Sequence, residues 1–333
     1  MDDGISSEIN NFLIQTNGAD STFKECVQSS INFDVPSRLH KAGNLKVLTK
    51  EINKSDQKRI VLDEDGDIMV SRICDNKSNP SSTLIIEHQI STNLDNVGRQ
   101  LWRGAFYLAD YLFELSDKNV INELCTNKKG SWLEIGAGTG FLAIVSYIVK
   151  RKQPESTSGN IFVTDLSDVL PLTRNNIKSN IAESCDMIKL VPLDLKEGKI
   201  PSEIAKTEVS LLLAADIIYD DILTYSIVQT LHGLIIQQYD RAKLMEMQKT
   251  KNILTCLFSI ERRINFTVAN LKVSAPAYDY FIECLNELNN NMAKLNITLD
   301  ISYITLDDKS QWFCYQRCKD LVIVKIDVLL LNN

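Results

Sequence analysis

Gly136, Gly138 and Gly140 alternate within Leu133-Glu-Ile-Gly-Ala-Gly-Thr-Gly140, behind the apolar run Ser131 to Ile135 and ahead of the apolar segment Phe141 to Val149. A strand, a glycine turn and a helix in that order can receive a ligand. Glycine reaches backbone angles closed to other residues and lets the main chain approach a nucleoside closely. The chemistry implied is the binding of a nucleoside cofactor. A second strand, Ile161 to Thr164, ends in Asp165, where a carboxylate is placed to accept hydrogen bonds from ribose hydroxyls. The interval from Gly140 to Asp165 exceeds the roughly 20 residues usual in dinucleotide sites. Polar, turn-forming Gln153 to Asn160 absorbs the excess as a loop. The spacing G-x-G-x-G also falls one residue short of the dinucleotide fingerprint. Glycine marks ordinary turns as well, so the cluster takes its weight from the elements around it.

Those elements alternate. Leu101, Ala105, Leu108, Leu112 and Leu115 are spaced by three and four after Gly98 and predict a helix with one apolar face. The glycine strand follows, then helix Phe141 to Lys150, strand Ile161 to Asp165, helix Val169 to Glu183 and strand Ile188 to Leu193. Strand Val209 to Ile217, helix Ile222 to Tyr239, strand Ile253 to Ile260 and helix Tyr278 to Asn289 continue the rhythm. Apolar strands buried on both faces with helices between them indicate an α/β sheet covered on either side. Ile297 to Leu306 and Leu321 to Leu331 are both strand-like with no long helix between them, so their connection is expected to be antiparallel. Upstream, residues 1–59 are polar, with no sustained period, and read as a variable arm. Ile60 to Ile73 reads as strand, Asp65-Gly66 turn, strand, with Leu84 to Ile90 as a third strand. The expected organisation is therefore an arm over 1–59, a small β accessory over 60–97 and the main domain over 98–333.

The chain has 333 residues, of which 44% are hydrophobic, enough for a sizeable core. Its net charge of −7 disfavours nonspecific phosphate binding and suits encounter with a basic protein. The polar, acidic start lacks the pattern of a secretory signal, and no apolar segment approaches the roughly 20 residues of a membrane span. Scattered cysteines and three distant histidines fit a reduced compartment, cytoplasmic, nuclear or both. Cys314 and Cys318 are spaced for one helical face, but nothing nearby completes a zinc set, and no metal is expected.

Three segments carry a more specific likeness: Gly98-Arg-Gln-Leu-Trp-Arg-Gly-Ala105, Ala214-Ala-Asp-Ile-Ile-Tyr219 and Ser259-Ile-Glu-Arg-Arg-Ile-Asn-Phe266. Together with the glycine turn, the chain from about residue 60 resembles the seven-β-strand protein-lysine methyltransferases, which are class I methyltransferases dependent on S-adenosyl-L-methionine. The resemblance implies a mostly parallel seven-stranded sheet with an antiparallel final strand, helices on both faces and a small N-terminal β accessory. It implies cofactor contacts at Gly136, Gly138, Gly140, Glu134 and Asp165, with Leu166 and Ala215 beside them. Trp102 matches an aromatic placed beside the cofactor, and Asp194 an acid near the adenine. The family commonly follows that acid with tryptophan, whereas this chain has Leu195, which leaves the packing of the adenine open. Asp216 and Tyr219 match its D-x-x-Y motif, which makes them the expected catalytic pair.

Methyl transfer is an in-line displacement at a sulfonium methyl, so alignment supplies much of the catalysis. A lysine ammonium has no lone pair and must first lose a proton. Asp216 could orient the amine or pass on its proton, and Tyr219 offers an aromatic wall and a hydroxyl. On the residues alone, Asp216 could equally cap another segment, Tyr219 fill the core and Trp102 be a half-buried core aromatic. Arg103 could pair with a cofactor carboxylate or face solvent. Nucleic-acid amino methyltransferases usually carry a diproline after the corresponding acid, where this chain has Ile217-Ile218, so no direct nucleic-acid partner is expected. The expectation is a monomer that methylates a target lysine of a non-histone protein. The competing readings are a cofactor-binding scaffold without turnover and a small-molecule methyltransferase.

Overall fold

Successive side chains of a strand turn to opposite faces of its sheet, and in this protein both faces are covered. The computed structural model describes residues 5–6, 14–15, 26–36, 81–92, 94–125, 129–152, 159–181, 186–244, 251–267 and 272–331. After the two-residue strands Ile5–Ser6 and Ile14–Gln15 come the two long strands of the N-terminal sheet, β1 (Cys26–Asp34) and β2 (Ser81–Gln89). Helix α1 (Arg103–Asp117) leads to β3 (Ser131–Ile135), α2 (Phe141–Lys150), β4 (Ile161–Asp165), α3 (Leu170–Asn180) and β5 (Ile188–Pro192). Then follow β6 (Val209–Ala215), α4 (Asp221–Leu244), β7 (Lys251–Glu261), α5 (Pro276–Met292), β8 (Ile297–Ile304) and β9 (Leu321–Leu330).

The seven-stranded sheet has the order β8-β9-β7-β6-β3-β4-β5. Neighbours from β7 to β5 are parallel, and β9 runs antiparallel to both β7 and β8. Class I methyltransferases have this arrangement, so the expected fold is observed. Trp132, Leu211, Leu213, Leu257 and Ile323 enter one core with α1 and α2. Leu133, Leu212, Ala214, Phe258 and Val324 enter the other with α4 and α5. This double burial is why the strands read as unbroken apolar runs.

The expected arm over 1–59 requires a correction, because β1 lies inside it and pairs antiparallel along its length with β2. Ile31 and Phe33 of β1 and Leu84 and Ile86 of β2 are buried in the same core as α1 and α2. The signal was weak because an inward position of β1 is Ser29, whose Oγ meets Nε2 of buried His88 at 2.7 Å. The expected hairpin over Ile60 to Ile73 lies outside the described residues.

Helix α1 begins at Arg103 and not near Gly98. Leu94–Arg99 form a 3-10 turn, and Trp102 is extended at φ −112° and ψ 148°. The helix is buried well beyond the predicted face, because the N-terminal sheet and the connector from β8 to β9 cover its far side. Asp110, fully buried, ties down that connector. Its Oδ1 accepts from the main-chain N–H groups of Trp312 and Phe313 at 2.7 and 3.1 Å. Its Oδ2 accepts from Arg317 at 2.7 Å and from the Tyr315 hydroxyl at 2.9 Å. A buried charge is tolerated because it is fully hydrogen-bonded and paired.

Candidate functional site

In sheets of this kind ligands bind beyond the carboxyl ends of the parallel strands, where the strand order reverses. The reversal falls at β3, which has β4 on one side and β6 on the other. The sequence at those three ends supplies Glu134, the glycine turn, Asp165 and Asp216.

The turn is held from two sides. Gly136, Gly138 and Gly140 have φ of 67°, 53° and 79°, all left-handed. A Cβ on Gly138 would stand 2.6 Å from the carbonyl oxygen of Gly98, and one on Gly136 2.6 Å from Cγ2 of Ile217. The glycines are therefore required first by the protein's own packing. Asp165 accepts the Gly138 N–H at 2.7 Å through Oδ2 and the Leu166 N–H at 2.7 Å through Oδ1. Burial raises the Asp165 carboxyl to about 6, and these two donors pull against that rise. Each oxygen keeps lone-pair capacity for a ligand hydroxyl. Leu166 is exposed beside it, open toward solvent.

Glu134 is 3% exposed, and its Oε2 has no hydrogen-bond partner. Burial and, second, the charge of Asp165 push its carboxyl well above the usual range. A buried acceptor left without a donor is costly, and at a strand end beside a glycine turn it fits a ligand's hydroxyl or ammonium group.

At the end of β6, Asp216 adopts φ 54°. Its Oδ2 accepts the Gly104 N–H at 2.5 Å and its Oδ1 the Glu261 N–H at 3.0 Å. Asp216 thus caps α1 from a distant strand. Burial raises its carboxyl to about 6 against the pull of those N–H groups. Tyr219 is half-buried, and burial, followed by the charges of Asp165 and Asp220, raises its hydroxyl, which stays protonated. Ala215 is half-buried at the same strand end.

Trp102 is half-buried, donates its Nε1–H to the Val97 carbonyl at 2.9 Å and lies under the Arg263 guanidinium, 5.3 Å from ring centre to Cζ. Arg103, largely covered, pairs with Glu261 at 2.9 Å. Arg262 pairs with Asp320 at 3.7 Å. Asp194 is exposed and caps a short turn by accepting the Lys196 N–H at 2.9 Å. Leu195, in place of the expected aromatic, packs into the core with Leu193 and Ile204. The structure thus gathers Glu134, the glycines, Asp165, Asp216 and Tyr219 around adjoining strand ends. Sequence reasoning missed Gly104, Glu261, Thr173 and Asn176, which act on this group through main-chain contacts. Thr173 and Asn176 left one signal, polar residues three apart on a side of α3 that also carries Leu170 and Ile177.

A family model described as lysine methyltransferase matches residues 78–259, more than half of the chain. The chain belongs to the lysine methyltransferase family. Methyltransferase-like protein 22 of Homo sapiens is 29% identical over 338 aligned positions, which cover 93% of this chain and 73% of that protein. The Mus musculus protein of the same name is 32% identical over 269 positions, covering 76% of this chain and 61% of that one. Protein-lysine N-methyltransferase EFM2 of Saccharomyces cerevisiae is 35% identical over 106 positions, 30% of this chain and 25% of that protein. The human match extends into the residues before 60, where β1 lies. Lysine methyltransferases of this class draw their methyl group from S-adenosylmethionine. In this family member the unpartnered Glu134 Oε2 and the spare lone pairs of Asp165 fit such a ligand, which carries an ammonium group and ribose hydroxyls. Among the described residues no cluster of His, Cys, Asp and Glu is arranged to hold a metal ion, and no helix is long and apolar enough to cross a membrane.

Proposed function

We propose that this chain methylates a lysine side chain of a non-histone protein, with Asp216 and Tyr219 as the residues that receive the amine. The observation that carries the reading is that the end of β6, which bears Asp216 and Tyr219, adjoins the glycine turn after neighbouring β3, where Ile217 packs against Gly136. Bound S-adenosylmethionine supplies an electrophilic sulfonium methyl. Glu134, Asp165 and Leu166, with the glycine turn and Ala215, would hold it, with Trp102 and Asp194 as further contacts.

The protein must present an uncharged amine in line with that methyl. Asp216, with its carboxyl at about 6, lies roughly four units below a free lysine near 10.4, so it is too weak a base to keep the lysine's proton. Its role in this reading is orientation. Each oxygen already holds one main-chain N–H and has a lone pair left to accept from the amine. The proton leaves to solvent as the ammonium is desolvated at the site, which lowers the amine's affinity for it. Nearby Arg263 works in the same direction. Tyr219 keeps its proton and its hydroxyl can accept from the amine, fixing the lone pair toward the methyl.

The net negative charge and the Ile217-Ile218 sequence support a protein over a nucleic-acid substrate, met in the cytosol or nucleus by a monomeric enzyme. The test is incubation with tritiated-methyl S-adenosylmethionine and cell extract. Label recovered as methyl-lysine in non-histone protein is the expected result. Label confined to small molecules, or cofactor binding with no incorporation, overturns the reading.

A further inference from the structure

Helix α3 joins the N-terminal sheet to the glycine turn. Asn176 and Asn180, one helical turn apart, face the edge of β2 that β1 does not use. Asn180 accepts the Ile85 N–H at 2.9 Å and donates to the Ile85 carbonyl at 2.7 Å. Asn176 accepts the Glu87 N–H at 2.7 Å and donates to the Glu87 carbonyl at 2.8 Å. Two side-chain amides thus give alternate residues of the strand the pairing a neighbouring strand would give.

The two amides differ in one contact. Asn176 also donates through Nδ2 to the Thr139 carbonyl at 2.9 Å, inside the glycine turn. Asn180 instead donates to the main-chain carbonyl of Asn176 at 2.8 Å, within the helix. One position earlier in the turn, the Gly138 carbonyl accepts from the Thr173 hydroxyl at 2.6 Å. Two successive peptide groups of the turn are therefore anchored to α3, and neither can rotate without breaking a buried hydrogen bond. Asn176 is 2% exposed, so water does not replace a lost contact freely.

We propose that Asn176 is a positioning residue for the cofactor, fixing the Thr139 peptide and making the shape of the glycine turn depend on the seating of the N-terminal sheet. The inference rests on the glycine turn being the S-adenosylmethionine site. The coupling runs through named contacts, from the Glu87 main chain to the Asn176 amide to the Thr139 carbonyl, which is the kind of contiguous chain that can carry energy between sites. Asn180 is its matched control, since it makes the same strand contact without the turn contact.

Asn176→Ala and Asn180→Ala, each in the full chain, separate the two roles. Thermal unfolding should show a loss in both, the larger in Asn176→Ala, whose amide is buried. Titration with S-adenosylmethionine should show a Kd raised about tenfold in Asn176→Ala and less than about twofold in Asn180→Ala, the scale of one buried hydrogen bond. Equal Kd values in the two variants overturn the inference. Should Asn176→Ala fail to fold, Glu87→Pro and Ile85→Pro give the same contrast, because each deletes one N–H on a strand edge where proline is tolerated. A raised Kd in Glu87→Pro alone supports the coupling, and equal values overturn it. A wild-type chain that does not bind S-adenosylmethionine overturns the cofactor reading and this inference together, which distinguishes the two failures.

Discussion

The carboxylate of Asp216 and the main-chain N–H of Gly104 lie 2.5 Å apart, although 112 positions separate them in sequence. A Cβ on Gly104 would also stand 2.5 Å from Oδ2 of Asp216, so the two residues are matched in space. One side chain at a left-handed position closes β6 against the start of α1 and, through Glu261, the end of β7. Asp216→Asn keeps a residue tolerant of that backbone but turns an amide donor toward one of the two N–H groups. Stability should fall by roughly 1–3 kcal/mol, the cost of a buried donor left unsatisfied. Methyl transfer should fall by roughly 100-fold, the scale of a small misplacement of reacting groups, with a much smaller change in cofactor affinity. Denaturant unfolding, cofactor titration and single-turnover rates on one variant check all three, and a full rate removes Asp216 from the reacting centre.

Glu134→Gln should move two measurements in opposite directions. The substitution is isosteric and removes the possibility of a buried, unpartnered charge, so the free protein should unfold at a higher temperature. The same change removes the anionic acceptor offered to the ligand and should weaken S-adenosylmethionine by roughly 1.5–3 kcal/mol, as for hydrogen bonds involving a charged group. Calorimetry of unfolding and of binding reads both, and unchanged affinity would assign Glu134 to the core.

Gly138 cannot be enlarged without disturbing the fold. Its φ of 53° and the Gly98 carbonyl oxygen, 2.6 Å from where a Cβ would stand, oppose any side chain, whatever ligand is present. Gly138→Ala should lose roughly 1–3 kcal/mol of stability from the left-handed backbone alone, and cofactor affinity should fall with it. Undiminished stability in chemical denaturation, combined with lost binding, would restore a purely steric role against the ligand.

The pH dependence has two opposed parts. Burial holds Asp165 and Asp216 at about 6 in the folded chain, against an ordinary value of 3.8. The folded state therefore binds their protons more tightly than the unfolded chain does. Their contribution to stability is fully present below about 3.8 and is lost as pH rises through about 6. Activity should run the other way, because protonation places an O–H where an oxygen must accept an N–H. Deprotonation of the substrate amine gives log kcat/KM a slope of about one with pH, and protonation of these acids should steepen it to about two or more below pH ~6. A slope of one throughout would show that neither acid titrates in the working enzyme.

The central strands of the large sheet were legible because they are apolar on both faces, and their ends pointed to Glu134, Asp165 and Asp216. The partners of those acids were not legible. Asp216 reads as a lone acid in Ala-Ala-Asp-Ile-Ile-Tyr, while the groups it holds are main-chain N–H groups of Gly104 and Glu261, which leave no side-chain pattern. Asp110 interrupts the apolar helix α1, and the arginine that balances it is 207 positions away. β1 escaped notice for a third reason. Ile31 and Phe33 are its only buried apolar side chains, too short an alternation to stand out in a polar segment.

The position of β9 between β7 and β8 imposes an order on synthesis. Both flanking strands leave the ribosome before β9, which pairs with ten residues of β7 and eight of β8, so neither the β7 edge nor β8 has its partner until β9 is made. Until Leu321–Leu330 arrive, the edge of β7 lacks its partner, and such an edge invites pairing with other chains. A stop upstream of Leu321 removes the strand that joins β8 to the rest of the sheet. Leu321–Leu330 thus close the β7 edge and attach β8 to the sheet, and they are the last of the three strands to be made.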